Sequence, residues 1–228
     1  MAATTISEYT AAIASTEEER TKAYRLRYSV YIGEQQKEYP EADHHRAVLK
    51  DELDEHAAIV LVTRPDGNPC GTVRASFMDC EAVAETYQGR FELARFSQIP
   101  RRSIAICSRL AVLKSFRATA VARMLLTEVY QYGIEHDTQL CFEACAPMLK
   151  RFFIRYGFRE HMPPYYDPVA GTLHRMVLVL DDISHLEQTG SPFLATARRL
   201  GVKNIVRPWV NEMIMEPRSA NRGWGTDA

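Results

Sequence analysis

The chain has 228 residues, 46% of them hydrophobic and 25% charged, enough for one domain with a sizeable core. Its 28 lysines and arginines nearly balance 29 aspartates and glutamates, and the net charge of −1 argues against a protein whose main partner is bulk nucleic acid or an anionic membrane. Five cysteines, an odd number with no Cys-x-x-Cys pair, suggest neither a disulfide framework nor a zinc knuckle. Reduced thiols in a cytoplasmic protein are expected. Met1 to Tyr9 lack the charged and apolar regions of an export signal, and no stretch approaches the ~18 apolar residues that span a bilayer.

After a polar start, Thr16 with Glu19 forms a capping box, and the apolar spacing Ala23, Leu26, Val30, Tyr31 predicts a helix to about Gly33. Glu34 to Glu55 is charged, holds Pro40, and reads as a long loop with a short helix. Ala57 to Thr63 and Gly71 to Phe77 read as two strands joined at the turn Pro65 to Asn68. In the second, Val73, Ala75 and Phe77 share one face, so Arg74 points to the other. A helix is expected over Ala82 to Phe96, a strand over Ser103 to Val112 and a helix from about Thr119 to Gly133. A strand at Leu140 to Cys145 leads into a helix from Pro147 to Gly157. Met176 to Leu180 is the last expected strand, preceded by a turn at Asp167 to Gly171. Beyond it the chain reads as helical over Pro192 to Leu200, then irregular through Trp209 and Trp224. Residues 1–180 are expected to form the domain and 181–228 an extension packed on it.

The segment Leu110 to Leu126, LAVLKSFRATAVARMLL, runs from a strand through a basic loop into a helix that starts with small residues. Free N–H groups of a first helical turn, the positive end of its dipole and small side chains together suit a phosphate.

Arg117-Ala118-Thr119-Ala120-Val121-Ala122 resembles the pyrophosphate signature of the GNAT acyltransferase superfamily, with Ala120 where that family carries its first glycine. Cys145 to Phe158 resembles the second GNAT signature, a helix ending in Gly-Phe. The resemblance covers about Ala23 to Leu180. It implies an α/β fold with a mixed, mostly antiparallel central sheet, fourth and fifth strands splayed, and flanking helices. It implies a pantetheine thioester donor, on an acyl carrier protein or coenzyme A, held by Leu110, Ala111, Val112, Arg117, Ala118, Thr119, Ala120, Val121 and Ala122. The family's tyrosine acid has no counterpart, because Phe153 stands there; Tyr156, directly before Gly157, is the substitute candidate.

TKAYRLRYSVYIGEQQKE, residues 21–38, resembles the first helix of the acyl-homoserine lactone synthases and related N-acyl amino acid synthases. Arg27, Asp51, Asp54, Arg74, Ser108 and Arg109 follow in the order of that branch, which implies a catalytic place for Ser108 and acceptor contacts for Arg27, Asp51, Asp54, Arg74 and Arg109. A free amino acid needs a cation for its carboxylate and an anion for its ammonium group, and these residues supply both; a salt-bridge network pinning the loop is the plain alternative. Ile106 stands where the lactone synthases carry a glutamate. The N-acyl amino acid synthases are therefore the favoured branch.

Glu143, mid-strand between Cys141 and Cys145, is the candidate base, since a carboxylate there needs a reason. Arg101, Arg102, Lys114, Arg117, Arg123, Lys150, Arg151 and Arg155 cluster around both donor motifs, a charge suited to an acidic acyl carrier protein. No metal site is expected. The competing readings are an acetyl-coenzyme A-dependent N-acetyltransferase and a catalytically silent GNAT domain that acts as a sensor.

Overall fold

A computed structural model describes residues 8–205 and 207–215; Trp224 lies outside them. Seven strands form one sheet: β1 (Thr10–Ile13), β2 (Ala58–Thr63), β3 (Pro69–Phe77), β4 (Ile104–Val112), β5 (Leu140–Cys145), β6 (Arg159–Asp167) and β7 (Gly171–Val179), in the spatial order β1-β2-β3-β4-β5-β7-β6. Every pairing is antiparallel except β4 with β5. This is the mixed, mostly antiparallel sheet flanked by helices that the GNAT resemblance implies.

Strand alternation sorts the layers. Val60, Val62, Val73, Cys107, Cys141, Cys145 and Met176 face α3 (Val121–Glu135), α4 (Lys150–Arg155), α5 (Ile183–Gln188) and α6 (Phe193–Arg199). On the opposite face Ile59 and Leu61 meet α1 (Glu17–Tyr28), while Ile106, Phe142 and Val177 meet α2 (Glu81–Tyr87) and α7 (Pro208–Met215). The region beyond residue 180 closes both sides: Phe193 of α6 stacks on Tyr130 at 4.4 Å, and Val210 and Ile214 of α7 are buried.

Several elements depart from the sequence expectation. α1 ends at Tyr28 and runs on into a π-helical turn, Ser29–Glu34, in which the Gln35 N–H donates to the Val30 carbonyl five residues back. The expected Ala82 to Phe96 helix breaks at Tyr87, because Glu92 takes a left-handed φ of 47° before a short 3-10 turn, Leu93–Phe96. The long loop holds a two-stranded ladder, Ala42–Asp43 against Val48–Leu49, and the short helix Glu52–His56, capped reciprocally by Asp51 and Asp54. β1 and β6 lacked a sequence signal. β6 is an edge strand with Pro163 and Pro164 and two register shifts, which only an edge tolerates. β7 starts at Gly171, so the expected turn closes the β6–β7 hairpin. α5 is an additional helix, and Trp209 lies within α7 rather than in irregular chain.

Gly71 of β3 passes directly beneath the start of α3: a Cβ there would lie 2.6 Å from Val121 Cγ1 and 2.9 Å from Leu125 Cδ1. Gly71→Ala should cost about 1–3 kcal/mol through this overlap. Urea denaturation checks it, and an unchanged midpoint would show that α3 moves freely over the strand.

Candidate active site

Between the pairs Thr72↔Ala111 and Arg74↔Ser108, β3 has one residue, Val73, and β4 has two, Arg109 and Leu110. This is a β-bulge, and Arg109 takes a left-handed φ of 55° to make it. The β4–β5 ladder ends with Cys107↔Glu143, one residue before the bulged region begins at Ser108. The strands are thus splayed at their carboxyl ends. Ala111 and the following Leu113 turn towards β3, where the Leu113 N–H donates to Cys70 O. By alternation, Leu110 and Val112 point their backbone groups into the gap. There the Leu110 carbonyl accepts the Tyr31 hydroxyl at 2.9 Å, and the Val112 carbonyl accepts Arg117 Nε at 3.1 Å.

The basic loop is exposed from Lys114 to Thr119 apart from half-buried Phe116, so among the described residues no other segment covers it. α3 begins two residues later than expected, at Val121, because the Thr119 hydroxyl donates to Phe116 O (2.6 Å) and accepts the Val121 N–H (3.3 Å), holding the chain in a turn. Ala120 has φ −72°, an ordinary right-handed conformation, so its position does not demand glycine. The left-handed residue is Ala118, at φ 61°. Ala122, in the first turn of α3, is half-buried.

Glu143 lies where the strands part, on the α3 side of the sheet with Cys141 and Cys145. It is buried, and its Oε2 has no hydrogen-bond partner. Burial, reinforced by Cys141, raises its pKa well above the carboxylate range, against a weaker opposing effect of the Cys107 thiol. A narrow apolar cavity of about 20 Å³ lies beneath α3, walled by Ala105, Cys107, Val129, Tyr130, Cys141 and Leu178 among others.

The predicted acceptor residues assemble on the opposite face. Asp54 Oδ1 takes Arg27 Nη1 at 2.7 Å and lies 3.2 Å from Arg74 Nη1; Asp51 pairs with Arg74 and, at 2.6 Å, with Arg109; Ser108 Oγ accepts Arg74 Nε at 3.1 Å. Three arginines and two aspartates interlock, and Glu41, 3.7 Å from Arg109 Nη2 at the outer edge, brings the charges into balance. Arg27, Arg74 and Asp54 are fully enclosed, whereas the side chains of Arg109 and Asp51 keep 13% and 12% of their exposure. Burial alone would raise the Asp51 pKa, but Arg74 and Arg109 outweigh it and hold the carboxyl below its ordinary value. Arg109 also stacks its guanidinium over Tyr39 at 4.7 Å.

Tyr156 is buried among aromatic rings. Its ring packs on Phe152 and Phe193, with ring centroids 4.8 and 5.1 Å away, and its carbonyl accepts the Ser191 hydroxyl. That environment gives it a packing role. Tyr31, Glu34 and Tyr39 were missed in the sequence; each acts over a separation of 70 residues or more, with no local motif to mark it. Among the described residues no group of three or more His, Cys, Asp or Glu could hold a metal ion, and no helix is long and apolar enough to cross a membrane.

The raised pKa of Glu143 fixes the sign of a stability effect. Between the unfolded value near 4.5 and the higher folded value, the native state holds a proton that the unfolded chain has lost, so stability falls as pH rises through that window. Glu143→Gln should therefore raise the melting temperature relative to wild type at pH 8, with the gap closing near pH 4. Calorimetry at both pH values checks it; a constant gap would mean that folding leaves the Glu143 pKa unchanged.

The profile of N-acyl amino acid synthase FeeM matches residues 22–179. A sequence search among curated proteins gives no significant match. Among solved structures, FeeM from uncultured soil microbes is similar with a TM-score of 0.64 at 18% identity, over 79% of this chain and 96% of that one. The acyl-homoserine lactone synthase LasI gives 0.62 at 14%, over 80% and 95%. The coenzyme A-dependent acyl-homoserine lactone synthase BjaI, solved with SAM and isopentyl-CoA, gives 0.58 at 14%, over 86% and 92%. With β4 bulged against β3 and parted from β5, and a family match spanning more than half its length, the chain belongs to the FeeM family of N-acyl amino acid synthases and is an N-acyltransferase.

Proposed function

We propose that the enzyme transfers a long acyl group from a phosphopantetheine thioester, carried by an acyl carrier protein or coenzyme A, to the amine of an amino acid. The observation that carries this reading is the parting of β4 from β5 at Cys107 and Glu143, directly beside a narrow apolar cavity that shares Cys107 and Cys141 as walls. A thioester lying along the freed edge of β4 would direct its acyl chain past those two cysteines and beneath α3. The lining of this cavity is apolar, which suits a hydrocarbon better than an acetyl group; at about 20 Å³ it must widen, with α3 shifting outward, before a long chain enters.

In this reading the N–H groups of Leu110 and Val112 polarise the thioester carbonyl, and the exposed loop Lys114 to Thr119, with the first turn of α3 through Ala122, takes the phosphate. The amine arrives from the other face. Arg109 and Asp51, at the exposed rim of the ionic network, meet its carboxylate and ammonium groups, while Arg27, Arg74, Asp54 and Ser108 hold that rim in place. Glu143 is the one carboxylate at the parting without a cationic partner among the described residues. A pKa raised by burial makes it the stronger base once ionised, acting through water across the gap.

The carrier-protein form of the donor is supported by the start of α4. Met148 is 86% exposed, and Leu149 and Ile154 are exposed beside Arg151 and Arg155. Arg155 and Arg123 of α3 both act on Tyr156, so the two helices share one basic surface. An acidic carrier helix with an apolar stripe complements it.

Purified enzyme incubated with long-chain acyl carrier protein, palmitoyl-coenzyme A or acetyl-coenzyme A and a mixture of amino acids should give long-chain N-acyl amino acids by mass spectrometry. Product from acetyl-coenzyme A alone would overturn the long-chain reading. Glu143→Gln should lower kcat about 100-fold and abolish the rise of rate with pH; a preserved profile would remove Glu143 as base. Val129→Phe, which fills the cavity from α3, should cost roughly 10-fold or more with a long chain and little with a short one. Equal losses with both would show that the chain runs elsewhere.

A further inference from the structure

Glu34 closes the π-helical turn with its carboxylate on the phosphate loop. Oε1 accepts the Lys114 N–H at 3.0 Å, and Oε2 pairs with the Arg117 guanidinium. Three residues earlier, the Tyr31 hydroxyl donates to the Leu110 carbonyl, on the edge of β4 that β5 has left. Both are contacts that a donor would seek: an anion on the loop's cation and backbone N–H, and a hydrogen-bond donor on the strand's free carbonyl.

We propose that the Ser29–Glu34 turn is an internal competitor of the acyl donor, with Glu34 standing in for the donor's phosphate while the site is empty. The inference rests on the donor reading above. Arg117 and Glu34 keep 43% and 24% side-chain exposure, so their ion pair is a weak surface pair. A phosphate brings more charge and more acceptor oxygens to the same loop and exchanges readily for the carboxylate. Tyr31 is the opposite case. Burial raises its pKa and keeps the hydroxyl protonated, and it is held between Leu110 O and the Tyr39 ring, with ring centroids 5.6 Å apart. Only two residues separate Tyr31 from Glu34 in one continuous turn. Displacing Glu34 therefore loosens the segment that covers the strand edge, and phosphate capture at the loop opens the slot for the thioester.

Glu34→Gln separates competition from support, because the amide keeps an oxygen for the Lys114 N–H and loses the charge. Calorimetric titration with coenzyme A should show binding about fivefold tighter than wild type, a gain that shrinks as salt is raised. Phosphate-free pantetheine, which has no charge to compete with the carboxylate, should gain clearly less than coenzyme A from the same substitution. Unchanged or weaker coenzyme A binding in Glu34→Gln would overturn the competition and make Glu34 an organiser of the loop. Arg117→Gln tests the underlying reading separately: it should weaken coenzyme A about 10-fold. If it does not, the phosphate site itself is wrong; if it does while Glu34→Gln has no effect, only the competitor fails.

Discussion

The site depends on one local constraint: β4 carries an extra residue against β3. With Arg109 and Leu110 both opposite Val73, the strand bends and its outward ladder to β5 stops at Cys107. Each consequence follows from that misfit. Leu110 and Val112 keep backbone groups for something other than a neighbouring strand, Glu143 is left at the fork, and the cavity beneath α3 has two cysteines of the parting strands among its walls. A bulge that required a non-glycine residue in the left-handed region costs energy, and such strain persists where the surroundings enforce it.

Here the surroundings are ionic. Arg109, the strained residue, is fastened to Asp51, which is fastened to Arg74, which shares Asp54 with Arg27 of α1. The chain of contacts runs from the first helix through the long loop to β3 and β4. Ion pairs this deep add little net stability over apolar packing, but losing one partner costs about 3–5 kcal/mol, because the other charge is stranded. The network fixes geometry more than it adds stability. It also explains the capping box of the short Glu52–His56 helix, whose two aspartates present their carboxylates to the arginines while ordering their own backbone.

Much of this was legible in the residues. The Thr16–Glu19 capping box is formed with both hydrogen bonds, the Pro65 to Asn68 turn joins two strands as read, and the alternation of β3 correctly sends Arg74 away from Val73. The strand, basic loop and helix follow one another as read, with the loop largely exposed. What stayed hidden depends on pairing between distant segments. Neither Arg109 nor Leu110 carries a bulge signature, since the usual glycine is absent. β6 holds two prolines that argue against a strand until it is known to be an edge. Glu34 and Arg117 are 83 positions apart, and nothing in either neighbourhood names the other. The placement of Glu143 and the ionic network on opposite faces required the sheet itself.

That two-sided arrangement has a consequence for how the enzyme must finish its work. Under the proposed function, a product with its apolar tail under α3 and its polar head beside Arg109 would thread the sheet through the fork, which closes where the β4–β5 ladder resumes at Cys107. The amide would then slide back towards the open carboxyl ends, the route the spent thiol also takes, so the thiol carrier would leave first.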